Sequence, residues 1–499
     1  MRTPTHAPEL LQTFLTTSLD TQLTRAQRGS LVSSVLASFQ RVAREVPAYS
    51  RLLFEQGIDP ASIDSLDAYA RLPLMTKAGY VLANPLPDRC LAGSLDGMST
   101  MAMSSGSTGQ SVVWPRALEH ELEIAYRFEQ VLHDAFRAHE RRTLAVVCFA
   151  LGNWVGGMFT TSCLRHLVEK GYPLAVLTPG NNHAEILRVI EELGPLYEQV
   201  ILLGYPPFVR DVLELGEQKG INWPALHPKL VFAGEVFSEA WRDKMCARIG
   251  NAQPELCTAS LYGTADGGVL GNETPLSIHI RRFVAKRPAL VQRLFGEARL
   301  PTLTQYDPFS RYFELVDGTL VISGDNGVPL VRYHIADTGG TMGYLEMLER
   351  LREDGFDPLV GLGREALLTV RELPFVWVFG RSDFTVSYYG ANVFPENIGL
   401  ALDRPDIDAF TTGKFVMMVR EDEVDNSRLA IIVELRAGVE STPQKREQVA
   451  RAILEELIRV NSEFANYVPQ DHQLPEVALE PLGHPEWFPL GTKHRYTRR

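Results

Sequence analysis

Leu144-Ala-Val-Val-Cys-Phe149, Leu174-Ala-Val-Leu177, Val200-Ile-Leu-Leu203 and Leu230-Val-Phe-Ala233 are four short apolar runs spaced about 30 residues apart. Each has the length and β-branched content of a strand buried on both faces. Helical stretches such as His183–Leu193 and Phe208–Leu215 lie between them. Strands and helices alternating at this interval predict a parallel sheet with right-handed crossovers and flanking helices, an α/β architecture.

On the N-terminal side, residues 20–95 read as helical. Leu31, Val35, Phe39 and Val42 recur at helical spacing, Thr24 is placed to cap that helix, and Pro47 stops it. Val46-Pro-Ala-Tyr49 and Leu72-Pro-Leu-Met-Thr-Lys77 carry no chemistry of their own. On the C-terminal side, 300–382 is strand-rich with one helical patch at Tyr344–Glu353. A smaller unit begins after Asp383. Phe415–Val419 and Leu429–Leu435 read as a hairpin across Glu421–Ser427. The next helix opens on Ser441-Thr-Pro443, with proline in its first turn. Val449, Ile453, Leu457 and Val460 share one of its faces.

The chain of 499 residues is 45% hydrophobic and 22% charged, ordinary for a globular enzyme. Lys and Arg number 49 against 61 Asp and Glu, a net charge of −12 that disfavours nucleic acid or an anionic membrane as partner. Cys90, Cys148, Cys163, Cys246 and Cys257 include no C-x-x-C pair, which argues against a structural zinc site. Few cysteines, no signal-peptide core and no long apolar run make a cytoplasmic protein the expectation. The composition is compatible with a homodimer.

Five segments could carry chemistry. Ser104-Ser-Gly-Ser-Thr-Gly109 packs four hydroxyls and two glycines into six residues, suited to bring backbone amides and hydroxyls against a polyphosphate. It lacks the Walker A pattern, and by itself it reads equally as an exposed turn. Ser260-Leu-Tyr-Gly-Thr-Ala-Asp266 offers the Tyr262 ring for a base, the Thr264 hydroxyl, and Asp266 as a hard ligand for Mg²⁺; a strand ending in a turn is the alternative. Val331-Arg-Tyr-His-Ile-Ala-Asp337 ends in a carboxylate able to accept both hydroxyls of a ribose, or to cap a turn. Phe379-Gly-Arg-Ser-Asp383, followed by Tyr389-Gly-Ala-Asn-Val-Phe-Pro395, supplies Arg381 for ribose or phosphate oxygens, or a domain linker. Leu490-Gly-Thr-Lys-His-Arg-Tyr-Thr-Arg-Arg499 is a basic tail.

In this order the segments resemble the adenylate-forming (AMP-binding) acyl-CoA synthetase superfamily, and within it the phenylacetate-CoA ligase branch. The likeness spans roughly 30–499. Ser104–Gly109 is similar to the family's phosphate loop and Phe232-Ala-Gly-Glu235 to its adenine-side turn. Tyr262–Asp266 resembles Tyr-Gly-x-x-Glu, and Arg332–Asp337 resembles Arg-Tyr-x-x-x-Asp. Gly380–Asp383 with Gly390–Pro395 resembles the Gly-Arg-x-Asp and Gly-x-Asn-Val-Phe-Pro motifs. Four departures stand out: Gln110 where a lysine often closes the loop, Asp266 for glutamate, a Tyr344–Glu372 segment without cysteine, and an extra residue in Gly491-Thr-Lys493.

The resemblance implies a large N-terminal adenylate-forming domain over 1–382 with mostly parallel sheets, its leading 1–95 helical, and a small mobile α+β lid over 383–499. It assigns catalytic roles to Lys493 and Thr264 and a hinge to Asp383. Nucleotide binding falls to Ser104, Ser105, Gly106, Ser107, Thr108, Gly109, Gly234, Glu235, Tyr262, Gly263, Asp337 and Arg381, and magnesium to Asp266. The implied activity is ATP-dependent activation of a carboxylic acid through an acyl-adenylate, then transfer to a thiol, most often that of CoA. Trp154, Tyr205 and Phe237 lie in segments that line the acyl pocket in the family and point to an aromatic or compact apolar acid. Transfer to a carrier-protein phosphopantetheine or an amine is a rival within the family. A nucleotide-binding protein without turnover is a rival outside it.

Overall fold

A computed structural model describes residues 6–103, 112–152, 155–381, 386–389, 391–421, 427–461, 464–465, 468–489 and 496–497. The chain divides into two units. The first comprises Met1–Glu235, Cys246–Arg282 and Thr302–Val378; the second comprises Val236–Met245, Phe283–Pro301 and Phe379–Arg499.

In the first unit a hairpin of β1 (Thr100–Met103) and β2 (Val113–Arg116) precedes an eleven-stranded sheet. Its strands are β3 (Thr143–Val147), β4 (Leu174–Leu177), β5 (Gln199–Gly204), β6 (Lys229–Ala233), β7 (Thr258–Thr264) and β8 (Gly268–Asn272), then β9 (Thr302–Gln305), β10 (Tyr312–Val316), β11 (Thr319–Gly324), β12 (Leu330–Met342) and β13 (Phe375–Arg381). They lie in the order β10-β11-β12-β13-β9-β8-β7-β6-β5-β3-β4.

The parallel sheet expected from the four apolar runs is the stretch β4-β3-β5-β6-β7. Its crossovers carry the helices Val155–Glu169, His183–Leu193 and Pro206–Lys219. Cys163, Leu164 and Leu167 of the first pack into one core with Ala145, Val147, Ile201 and Leu203. Each Leu, Ile or Val among them removed from water contributes roughly 1.5–3 kcal/mol. Beyond β7 the described pairings β7–β8, β8–β9, β9–β13, β10–β11 and β11–β12 are antiparallel. Short connections dictate this for β7–β8, β10–β11 and β11–β12, since a parallel neighbour needs a long crossover. Between β10 and β11 stand only Asp317 and Gly318, both at positive φ (49° and 75°), the conformation a tight two-residue hairpin demands.

The leading segment is helical as expected, with different punctuation. Leu31–Glu45 is capped by Ser30, whose hydroxyl accepts the Ser33 N–H at 3.2 Å, while Thr24 lies inside the preceding helix Leu19–Arg28. Pro47 opens a further helix, Pro47–Glu55, because a missing N–H is harmless in a first turn. Val35, Phe39 and Val42 join Tyr49, Met75, Leu330 and Tyr333 in a second core. Met75 also adds a parallel bridge to β12: its N–H donates to Arg332 O at 3.1 Å, and its carbonyl accepts the His334 N–H at 2.9 Å.

The second unit holds the hairpin β14 (Val386–Tyr388) and β15 (Ala391–Val393), and the sheet β16 (Thr411–Glu421), β17 (Ser427–Leu435) and β18 (Glu476–Glu480). β16 and β17 are the expected hairpin, and β18 joins β17 in parallel. The helix Pro443–Val460 is capped by Thr442 and buries Val449, Ile453 and Leu457 against the sheet.

Gly216, inside the helix Pro206–Lys219, has no room for a side chain: a Cβ there would meet Trp223 Cζ2 at 2.3 Å. Alanine is the better helix former, yet Gly216→Ala is expected to destabilise the fold by about 1–3 kcal/mol through overpacking. Urea melts of the two proteins check the sign.

Candidate active site

β7 is the strand at which the pairing changes, parallel to β6 on one edge and antiparallel to β8 on the other. Ligands in such sheets bind beyond the carboxyl ends of the parallel strands. The end of β7 carries Tyr262, Gly263 and Thr264, and the turn into β8 carries Ala265, Asp266 and Gly267. Thr264 Oγ1 accepts the Gly267 N–H at 2.9 Å, and Gly268 closes the turn at φ +74°. Gly263 is needed because a Cβ would meet Gly268 O at 2.8 Å.

Tyr262 and Asp337, 75 positions apart, meet directly: the phenol donates to Asp337 Oδ2 at 2.8 Å, and both residues are buried. A second link runs from the Tyr333 hydroxyl to Asp266 Oδ2 at 2.5 Å. β12 and β7 stand four places apart in the sheet order, a separation of ~19 Å if the sheet were flat. The antiparallel half therefore curls back over the end of β7.

β12 is shaped for this. Its register with β11 shifts between Val321↔His334 and Thr319↔Thr338, and Arg332 and Ala336 adopt φ of +49° and +62°. A bulge of this kind re-aims side chains, here beside Asp337. Left-handed backbone at non-glycine residues costs on the order of 1–3 kcal/mol each. Arg332 is held by Glu314, whose two carboxylate oxygens both accept from Nε at 3.1 Å, and by the carbonyl of Leu72.

Gly234 and Glu235 follow β6, whose last residue, Ala233, pairs with Leu261 just ahead of Tyr262. Gly234 has φ +82°. Burial, and after it the Glu235 carboxylate, pushes the Tyr205 phenol above its ordinary range. The Tyr205 ring packs edge-on against Phe149 at 5.1 Å. In the second unit, Phe237 packs against Trp241 and the Arg242 guanidinium. Arg381 ends β13. Ser104, Ser105, Gly106, Ser107, Thr108, Gly109, Trp154, Asp383 and Lys493 lie outside the described residues.

Asp266 suits a hard cation: Oδ2 takes the Tyr333 hydroxyl, and Oδ1 remains as a ligand atom. One carboxylate completed by substrate phosphates and water is a usual Mg²⁺ environment. Glu119, His120 and Asp325 also cluster closely enough to hold an ion. There the hydrogen bonding points elsewhere. His120 Nδ1 accepts the Ala117 N–H at 3.0 Å, so Nε2 carries the proton and faces Asp325 Oδ1 at 3.1 Å. Burial alone would raise the Asp325 carboxyl, but the His120 imidazole and the Gly327 N–H hold it at about 2.

Tyr333, Arg116, Arg311 and Asn326 had no visible role in the sequence, yet all four touch the Ala265–Gly267 turn. The available signal was charge in apolar surroundings, as in Val113-Trp-Pro-Arg116, because a buried cation must find acceptors.

Comparison with solved structures gives this arrangement a context. A crystal structure of 2-hydroxyisobutyryl-CoA ligase in the postadenylation state, in complex with R3-HIB-AMP, matches with a TM-score of 0.64 and 14% identity, covering 94% of this chain and 87% of that one. The same ligase in complex with 2-HIB-AMP and CoA, in the thioesterification state, matches with a TM-score of 0.53 and 15% identity over 94% and 88% of the two chains. No protein-family model matches the sequence, and a search of curated proteins finds no match. The chain thus has the fold of an adenylate-forming CoA ligase, a large sheet flanked by helices with a smaller sheet-bearing unit near the C-terminus.

Tyr262→Phe removes the donor that partners Asp337 inside the fold. It is expected to cost about 1.5–3 kcal/mol, the worth of a hydrogen bond to a charged group. Asp337→Asn, which keeps an acceptor oxygen, should cost less. Chemical denaturation of both variants measures the difference.

Proposed function

We propose that the protein is an adenylate-forming ligase of the phenylacetate-CoA ligase kind, activating a carboxylic acid with ATP and passing the acyl group to the thiol of CoA. The observation that carries this reading is the meeting of Tyr262 with Asp337 beside Asp266, at the carboxyl end of β7. Three sequence segments that resemble nucleotide-site motifs converge there, on a fold shared with a CoA ligase.

A carboxylate is a poor electrophile, since it is anionic and its oxygen leaves badly. Its attack on the α-phosphorus of ATP expels pyrophosphate and gives an acyl-adenylate, from which AMP leaves readily. The difficulty is bringing an anion to a polyanion, so catalysis rests on positioning and electrostatic stabilisation. In this reading Ser104–Gly109 holds the β- and γ-phosphates through amides and hydroxyls, without the lysine replaced by Gln110. Asp337 and Arg381 hold the ribose, Tyr262 stacks on adenine, and Gly234 and Glu235 border it. Thr264 lies beside the phosphates. Asp266 would hold Mg²⁺, which would supply charge neutralisation. Lys493 bridges the attacking carboxylate and the α-phosphate.

Residues 1–382 and 383–499 serve as the two domains of the cycle, with Asp383 as hinge and removal of Lys493 admitting the thiol. Tyr205 and Phe237 favour an aromatic or compact apolar acid.

ATP–pyrophosphate exchange across a panel of carboxylic acids tests the reading. Exchange with an aromatic or small branched acid is expected, and exchange with none would leave a binding protein. Offering CoA, a phosphopantetheinylated carrier protein and amines to the active pair identifies the acceptor; CoA is expected. Lys493→Ala should abolish exchange while sparing thioester formation from a supplied acyl-adenylate, and equal loss of both halves would remove the lysine from its role. Asp337→Ala should raise KM for ATP about 10-fold or more, the worth of a charged hydrogen bond.

A further inference from the structure

Three consecutive carbonyls lead through the turn that carries Asp266, and each is held by a side chain from elsewhere in the first unit. Arg116 Nη2 donates to Ala265 O at 2.6 Å. Asn326 Nδ2 reaches Asp266 O at 3.3 Å. Arg311 Nε donates to Gly267 O at 3.0 Å. Two of the holders are joined directly, since Arg116 Nη1 donates to Asn326 O at 2.6 Å.

Both guanidiniums are almost wholly buried, Arg116 at 1% exposure and Arg311 at 2%. Burial, and then the neighbouring Arg311 cation, pushes Arg116 down to about 9. Two desolvated cations side by side are an expensive way to fill space, and apolar side chains of similar volume would pack there at less cost. Their hydrogen-bonded acceptors are chiefly neutral carbonyls, including Pro115 O and Ser310 O; Glu123 stands 3.6 Å from Arg311. What they accomplish is directional. A planar guanidinium fixes several oxygens at set angles, which a lysine ammonium cannot reproduce.

We infer that Arg116 and Arg311, with Asn326 between them, are positioning residues that clamp the Ala265–Gly267 backbone and thereby aim the Asp266 carboxylate and the Thr264 hydroxyl. This inference deepens the ligase reading and rests on it for the role of Asp266. The clamp acts on the backbone of the turn, Tyr333 holds the carboxylate itself, and a one-methylene shortening relative to glutamate leaves less reach to correct a misplaced backbone. Outer partners of this kind typically change metal affinity or activity by about 10- to 100-fold when altered.

The test uses full-length Arg116→Lys, Arg311→Lys and the milder Asn326→Ser, with Arg127→Lys as a control. Arg127 is a buried guanidinium of the same unit, on the helix Leu118–Gln130. Hydrogen exchange of the 262–268 amides is read without substrate. Pyrophosphate exchange is then titrated with Mg²⁺. The clamp predicts faster amide exchange at 262–268 in the three variants. It also predicts a higher Mg²⁺ midpoint and kcat lowered about 10- to 100-fold per folded molecule. In Arg127→Lys, stability falls while the 262–268 protection and the Mg²⁺ midpoint stay put. Wild-type protection of 262–268 in all three variants, or activity that merely tracks the folded fraction, overturns the inference. If the wild-type protein exchanges pyrophosphate with no acid, the ligase reading falls, and amide exchange still decides whether the clamp exists. Should the arginine variants not fold, Asn326→Ser decides it by the same two readings.

Discussion

The Tyr262–Asp337 hydrogen bond at 2.8 Å sets the shape of the first unit. Its two strands are separated by β8, β9 and β13, so the bond forms only if the antiparallel strands wrap around to face the end of β7. Among the described pairings the ladder is shortest between β8 and β9, which share the register pair Asn272↔Gln305. Crowded glycines allow the approach. Gly271 faces Thr304 Oγ1 at 2.6 Å from where its Cβ would lie, and Gly339 faces Trp377 O at 2.1 Å. The curl turns a flat ladder into a concave surface, and polar groups from distant segments come to face one turn.

Legibility in the sequence follows from this geometry. The parallel half was readable because burial on both faces leaves continuous apolar runs, and β3 to β6 fall almost residue for residue on the runs quoted first. The hairpin β16–β17 and the helix opened by Pro443 were readable for equally local reasons. Thr24 shows the limit of local signals: Ser30, nearer the apolar stripe, is the residue that caps. The curl was not readable, because it rests on side-chain bonds such as Tyr333–Asp266, 67 positions apart. For the same reason Tyr262 and Asp337 were recognisable singly as polar residues at strand ends, while their union was not.

The geometry of a turn can also be separated from the side chains it presents. Tyr262, Thr264 and Asp266 lie within five residues, so β7 delivers them together without help from the rest of the chain. Their orientation comes from elsewhere: Asp337 and Tyr333 on β12, Arg311 just ahead of β10, and Arg116 at the end of β2. These three polar groups are thus local in sequence and their supports are dispersed.

The bridge between Met75 and Tyr333 has a consequence for how the chain is made. The residues it joins are separated by more than half the polypeptide. Val35, Phe39 and Val42 share a core with Leu330 and Tyr333, so the leading helices emerge from the ribosome long before their apolar partner exists. At synthesis rates of about 5–20 residues per second, the contact with β12 waits for roughly 13–50 s. The parallel strands β3 to β7 are complete well within that interval. The parallel strands can therefore be complete before the helix Leu31–Glu45 meets β12, although that helix is translated first.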